Sequence, residues 1–366
     1  MTRAALWPAG LVLFLLAACV GPGQVDSVAM SPLAFGALPD DEVDDGPALQ
    51  EALDSLPPGG TLLLPPGRYL HADVLVMRVP GTTLAGPGST LTATVEDRSA
   101  FVVDASDATV RDVTFTVGAT TGRGNQLEQH KVLLMPRAGI TLSAVSIDGS
   151  AASGVFVYGS DSFLLDDVRI RGTRADGIHM TFGAHDGRIV DAVVSGTGDD
   201  GIAVVSYRGE SAVHDVAVER ATVSDNTHGR GISVVGGHAI SWSDIEVRRS
   251  ASAAVYVAVE GEPLATADSA GISVERVRII GANTVPAVDQ GAVLVYSGPA
   301  RGSVTGVHMN DVDIMDTRAG SSRQVGVFSD GGTVSEVFLD GFTISGGPDR
   351  RFASNVTASA YKLIGW

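Results

Sequence analysis

The sequence predicts an all-β fold: a right-handed parallel β-helix, a solenoid whose open start is closed by one short helix. Three observations carry this reading. Two short apolar units alternate along most of the chain. Successive copies of a unit lie 23 residues or more apart. Glycine is abundant, at 45 of 366 residues, while aromatic residues make up only 5%. Many short strands joined by tight turns fit that composition.

The first unit reads glycine-apolar-x-apolar. It occurs as Gly154-Val155-Phe156-Val157, Gly177-Ile178-His179-Met180, Gly201-Ile202-Ala203-Val204 and Gly231-Ile232-Ser233-Val234, with weaker copies at Ala254–Val257 and Gly291–Leu294. The first four glycines are spaced 23, 24 and 30 residues apart. The second unit reads apolar-x-x-apolar-x-apolar. Its copies start at Leu142, Leu165, Trp242, Val274, Met309 and Leu339. Alternation with period two marks short strands with one buried face. One strand of each kind per repeat does not suit a sandwich of hairpins. It suits a solenoid whose equivalent strands stack in parallel, about 4.8 Å apart, so that like residues form internal ladders. A helical solenoid is disfavoured, because β-branched residues and glycine dominate and no 3.6-residue period persists.

Earlier in the chain, Asp44-Asp45-Gly46-Pro47 precedes Ala48, Leu49, Ala52, Leu53 and Leu56. Acids and proline ahead of an i, i+4 apolar pattern predict a helix over about 45–55. Such a helix covers core and strand edges that a solenoid otherwise exposes at its end. Residues 31–366 are read as one β-helix domain. The segment Phe35-Gly36-Ala37, Asp44-Asp45, Leu49–Leu53, Gly59-Gly60-Thr61 and Leu64–Tyr69 resembles the N-terminal cap of pectin-lyase-like β-helix proteins. That resemblance speaks to fold far more than to function, since the fold hosts hydrolases, lyases, epimerases and adhesins.

Residues 1–18 hold one basic residue, Arg3, and an apolar run from Leu11 to Ala18, short for a membrane span but suited to a signal-peptide core. The run ends in Leu16-Ala17-Ala18-Cys19, which resembles the lipobox of bacterial lipoproteins. The resemblance implies cleavage before Cys19, a lipid on its thiol, and an exported, envelope-anchored protein. Residues 19–30, in which the lipidated Cys19 is followed by Val20-Gly21-Pro22-Gly23-Gln24, are read as a flexible tether. Cys19 is the only cysteine, so neither a disulfide framework nor a thiolate metal cluster is available. With 42 acidic against 25 basic residues and a net charge of −17, the chain lacks the basic footprint of a nucleic-acid binder. It is expected to be monomeric.

Stacking places the residue before each repeat glycine in one row: Ser153, Asp176, Asp200, Arg230, Ala253. Asp199 flanks Asp200. Three crowded acids repel one another, so at least one is expected to have a raised pKa. Unequal carboxylates are how glycosidases obtain an acid and a base at one pH. Asp-Gly is also an ordinary turn pair, and the same acids are able to hold Ca²⁺. Arg174-Ala175-Asp176-Gly177 and Gly198-Asp199-Asp200-Gly201-Ile202-Ala203-Val204 resemble the Asn-Thr-Asp-Gly and Gly-Asp-Asp-Cys-Ile-Ala-Ile motifs of glycoside hydrolase family 28, the polygalacturonases. The resemblance implies inverting hydrolysis, with Asp199 as general acid and Asp176 and Asp200 activating water. It departs at the family's Gly-His-Gly motif, where Gly229-Arg230-Gly231 stands and His228 lies two residues early. It departs again at the uronate-binding Arg-Ile-Lys motif, where Tyr256-Val257-Ala258 stands. A glycan other than polygalacturonate is therefore expected.

His179 and Tyr256 occupy outward positions on the same face as the acids, and Tyr207 follows the Asp199-Asp200 pair by one strand. These three, with Arg230 and His228, are the substrate-binding candidates. His185, His214 and His238 are read as solvated turn residues, Asp166, Asp167 and Asp311 as surface, and the long turns 259–271 and 281–290 as cleft walls. No metal or cofactor is assigned for a hydrolase. A polysaccharide lyase or epimerase, for which Ca²⁺ is a candidate cofactor, and a non-catalytic glycan-binding β-helix are the competing readings.

Overall fold

The computed structural model describes residues 29–298 and 302–366. Cys19 and residues 1–18 lie outside the described residues. Each copy of the first unit forms one short strand that pairs only with its counterparts in adjacent turns. Eleven such strands, from Leu75–Met77 to Phe352–Ser354, make one parallel sheet in unbroken chain order. The register is in step: Val155, Ile178, Ile202, Ile232, Val255, Val293 and Val325 form a single buried ladder. Phe156, His179, Ala203, Ser233 and Tyr256 form the next row, on the opposite face of the pleat. Glycine begins the unit because the second sheet passes close by. A Cβ at Gly177 would lie 2.2 Å from Val194 and 2.6 Å from the Gly201 carbonyl.

The second unit bends at one left-handed residue, which separates two short strands in the earlier turns and lies within one long strand in the later ones: Asp167, Asp191, Arg220, Asp244, Arg276 and Asp311 have φ of 49–58°. That bend resets the alternation, which is why Leu165 and Val168, three apart, both point inward. Asp tolerates this conformation better than most residues. Two copies escape the sequence pattern, Ile189/Ala192/Val194 and Val218/Ala221/Val223. Their middle position is alanine, yet all six residues are buried, and Ile189 stays in register with Val218 and Val194 with Val223. At the bends Arg220 pairs with Asp191 and Arg276 with Asp244, exposed contacts that add little stability.

The cap helix spans Gly46–Asp54 and buries Leu49, Ala52 and Leu53. Asp45 makes no capping bond. Its carboxylate instead accepts from the Leu38 and Leu70 amides, tying the helix to the first turn. Gln50 reads the backbone of Val76, donating to its carbonyl and accepting from its N–H, both at 2.8 Å. One helical amide thus satisfies the outermost strand of the eleven-stranded sheet, as an edge requires.

Candidate active site

Backbone bonds confirm the row that stacking predicts. Gly154, Gly177, Gly201 and Gly231 donate to the carbonyls of Asp176, Asp200, Arg230 and Ala253. The row also extends back to His130, because Lys131 donates to Ser153 in the same way. Asp176, Asp199 and Asp200 converge, each placing an oxygen within 4.8 Å of the others.

Their surroundings differ. Asp200 is buried; its Oδ1 accepts from the Arg230 amide at 2.6 Å and its Oδ2 from the Ser233 hydroxyl. Burial pushes its pKa up to about 7, against the pull of Arg230. Asp176 accepts from the Asp200 amide at 2.9 Å and meets His179 Nδ1 at 2.7 Å. Asp199 has the most accessible side chain of the three, at 27%, and pairs with Arg123 at 2.6 Å. Burial and the Asp176 charge raise its pKa, while Arg123 holds it back.

A groove of about 490 Å³ adjoins the acids. Asp176 and His179 line it, with Arg123, His130, Phe182 and Tyr207. Phe156 stacks between His130 and His179, at 3.9 and 4.9 Å. Phe182 lies between Tyr158 and Tyr207, at 4.6 and 5.8 Å. Flat apolar faces therefore run beside a cluster of carboxylates.

Not every expected residue reaches this groove. Tyr256 is 3% exposed: the Arg230 guanidinium covers its ring at 4.1 Å, and its hydroxyl donates to Glu260. Tyr256 therefore offers no stacking face, which corrects the sequence reading. Arg230 is itself held by Glu260 at 2.9 Å and by Asp200. His228 is exposed on the turn beside Gly229 and is not among the groove-lining residues. The wall is built by 118–130 rather than by 259–271 or 281–290. Turn 259–271 supports the groove indirectly, through a Tyr207–Thr266 backbone bridge and the Glu260–Arg230 pair. His185, His214 and His238 are also corrected. They are not scattered but sit in register at strand starts, with rings stacked at 4.8 and 4.9 Å.

Arg123, His130, Phe156, Tyr158 and Phe182 escaped the sequence reading. The available signal was the interruption of the repeat between strands Thr109–Val117 and Val132–Leu134, with Arg123 at its middle. Arg174 pins that excursion by donating to the Thr120 hydroxyl and carbonyl.

The buried acid predicts a pH effect. Folding raises the Asp200 pKa from 3.8 to about 7. Between those values the folded state keeps a proton that the unfolded chain has lost. Asp200 therefore costs stability progressively as pH rises through that window, and the cost is complete above it. His71 and His130, pushed down to about 3 by burial, give the opposite slope at acidic pH. The measurement is thus the difference between wild type and Asp200→Asn in thermal melts from pH 4 to 8. The variant is expected to gain relative stability as pH rises; a constant difference would refute the raised pKa.

A family model for rhamnogalacturonase A/epimerase, pectate lyase-like proteins matches residues 32–255, well over half of the chain. No curated protein sequence matches. Among solved structures, the catalytic unit of a GH87 α-1,3-glucanase from Streptomyces thermodiastaticus shares 17% identity, covers 94% of this chain and 69% of its own, and superposes with a TM-score of 0.67. The endo-xylogalacturonan hydrolase of Aspergillus tubingensis shares 14% identity over 92% of this chain and 98% of its own, with a TM-score of 0.71. The catalytic domain of a GH87 α-1,3-glucanase, 15% identical over 94% of this chain and 70% of its own with a TM-score of 0.66, is known with bound tetrasaccharides as an alanine variant of one aspartate. A variant of the adjoining aspartate holds tetrasaccharides as well. These likenesses speak to the fold, and the match over 32–255 decides the family: the chain belongs to the rhamnogalacturonase A/epimerase, pectate lyase-like proteins.

Proposed function

We propose that the groove hydrolyses a glycosidic bond of a polysaccharide with inversion, Asp199 protonating the leaving oxygen while Asp176 and Asp200 hold and activate water. The observation that carries this reading is the convergence of three unequally placed acids from two adjacent turns beside an aromatic groove. The raised pKa of Asp199 suits an acid that must arrive protonated. The GH87 catalytic domains of the same fold, captured with tetrasaccharides, support a carbohydrate as the ligand of the groove. His179 and Tyr207, which line the groove, are the substrate contacts among the residues expected from sequence. Product analysis on a glycan panel tests the reading. New reducing ends mark a hydrolase, unsaturated ends absorbing in the near ultraviolet mark a lyase, and binding without turnover marks a glycan-binding β-helix. The lyase or epimerase reading stays in the comparison because a cation, Arg123, and an imidazole, His179, face the same groove.

The substrate is proposed to be a glycan other than polygalacturonate. Arg230 is already neutralised by Asp200 and Glu260, which leaves Arg123 as the cation lining the groove, paired with Asp199. A polyanion also meets the field of a −17 chain, most strongly at low salt. Turnover of polygalacturonate is expected to be negligible beside that of neutral polysaccharides. Robust low-salt cleavage of polygalacturonate, lost in Arg123→Ala, would overturn this preference.

Anchoring through a lipid on Cys19, on the exported face of a membrane, is proposed on the lipobox resemblance. Cys19→Ala is expected to release the protein from the membrane fraction or to block its processing. Unchanged membrane association and gel mobility would exclude the anchor.

A further inference from the structure

We infer that His179, oriented by Asp176, is the base that takes the proton from the attacking water. The inference rests on the hydrolase reading above and sharpens it: Asp200 is buried and is not among the groove-lining residues, and Asp176 activates the water through His179. Asp176 spends one oxygen on the Asp200 amide and the other on His179. Asp200 is buried, with one oxygen on the Arg230 amide and the other on the Ser233 hydroxyl.

Among the described residues His179 keeps one ring nitrogen without a hydrogen-bond partner. Its Nδ1 lies 2.7 Å from Asp176 Oδ2, which fixes the proton on Nδ1 and leaves the Nε2 lone pair. The ring lies flat against Phe156, at 4.9 Å and 6° between planes, so its orientation is set by stacking as well as by hydrogen bonding. The side chain lines the groove. A carboxylate behind an imidazole holds the tautomer and stabilises the imidazolium that forms on proton uptake.

Spacing favours the same assignment. Inverting glycosidases keep acid and base about 6.5–9.5 Å apart to admit a water. Here the nearest oxygens of the three carboxylates fall within 4.8 Å of one another. Passing the proton through His179 moves the accepting atom outward by a hydrogen bond and the width of a ring. In the resulting step, a water proton goes to Nε2 while the water oxygen forms the new bond to the anomeric carbon. The glycosidic C–O bond breaks, its electron pair stays on the leaving oxygen, and that oxygen takes the proton of Asp199.

Two measurements test this. Long-range ¹H–¹⁵N correlation of the histidine rings at pH 8 is expected to show His179 as the Nδ1–H tautomer, a signature perturbed in Asp176→Asn. His179→Gln is expected to lose roughly 10²-fold or more in kcat, equally on p-nitrophenyl glycosides and on the polysaccharides that the wild type cleaves. Azide needs no deprotonation, so it is expected to restore turnover of the p-nitrophenyl glycosides by His179→Gln and to give a glycosyl azide of inverted configuration. An Nε2–H tautomer, or undiminished kcat in a folded His179→Gln, overturns the assignment. So does a loss confined to KM, which would make His179 a binding contact. If the wild type cleaves nothing while the Nδ1–H tautomer is present, the hydrolase reading fails and takes the base role with it; a wild type that is active alongside an active His179→Gln sinks the base role alone.

Discussion

Ile202→Asp is expected to prevent folding or to cost several kcal/mol, because a carboxylate would enter a sealed apolar ladder with no partner. Ile202 is fully buried between Ile178 and Ile232 on the adjacent turns. Solenoid stacking leaves no route for the charge to reach water without unpairing strands on both sides. Val193→Asp is the matching control. Val193 belongs to a neighbouring strand but is 38% exposed, and surface substitutions usually stay within about 0.5 kcal/mol. Circular dichroism melts of the two variants make the comparison. A cooperatively folded Ile202→Asp protein with the wild-type melting temperature would mean that the inward face has been misassigned.

Asp199→Asn is expected to lower kcat on an unactivated glycan by roughly 10²-fold or more, with the fold intact. Asparagine is nearly isosteric but cannot deliver the proton. The side chain is accessible enough that the change leaves no buried group orphaned. Substrates with good leaving groups are expected to lose far less, since they need little protonation. Asp176→Asn and Asp200→Asn are expected to hurt both substrate types, because water must be activated either way. Turnover of p-nitrophenyl glycosides beside natural glycans reads this division directly. Equal losses for all three variants on both substrates would refute the roles, and full activity in all three would remove the site.

The ladders, the cap helix and the row holding Asp176, Asp200 and Arg230 were determined by the sequence itself. All of them are local: a glycine, an alternation of period two, or an acid at a fixed offset repeats at each turn, and parallel stacking turns offset in sequence into position in space. The same logic reached Ile178, Ile202 and Ile232 without any knowledge of the second sheet. It failed where a residue's environment comes from a distant segment. Tyr256 stands at an outward position of its strand, yet Arg230, a turn earlier, lies across its ring and Glu260 takes its hydroxyl. Arg123 is 76 residues from Asp199 and belongs to an excursion with no repeat pattern, so nothing in the sequence ties the two. Only the tertiary structure decided which side chain closes over which row and which excursion walls the groove, because long-range contacts of irregular loops depend on shape and carry no periodic signal.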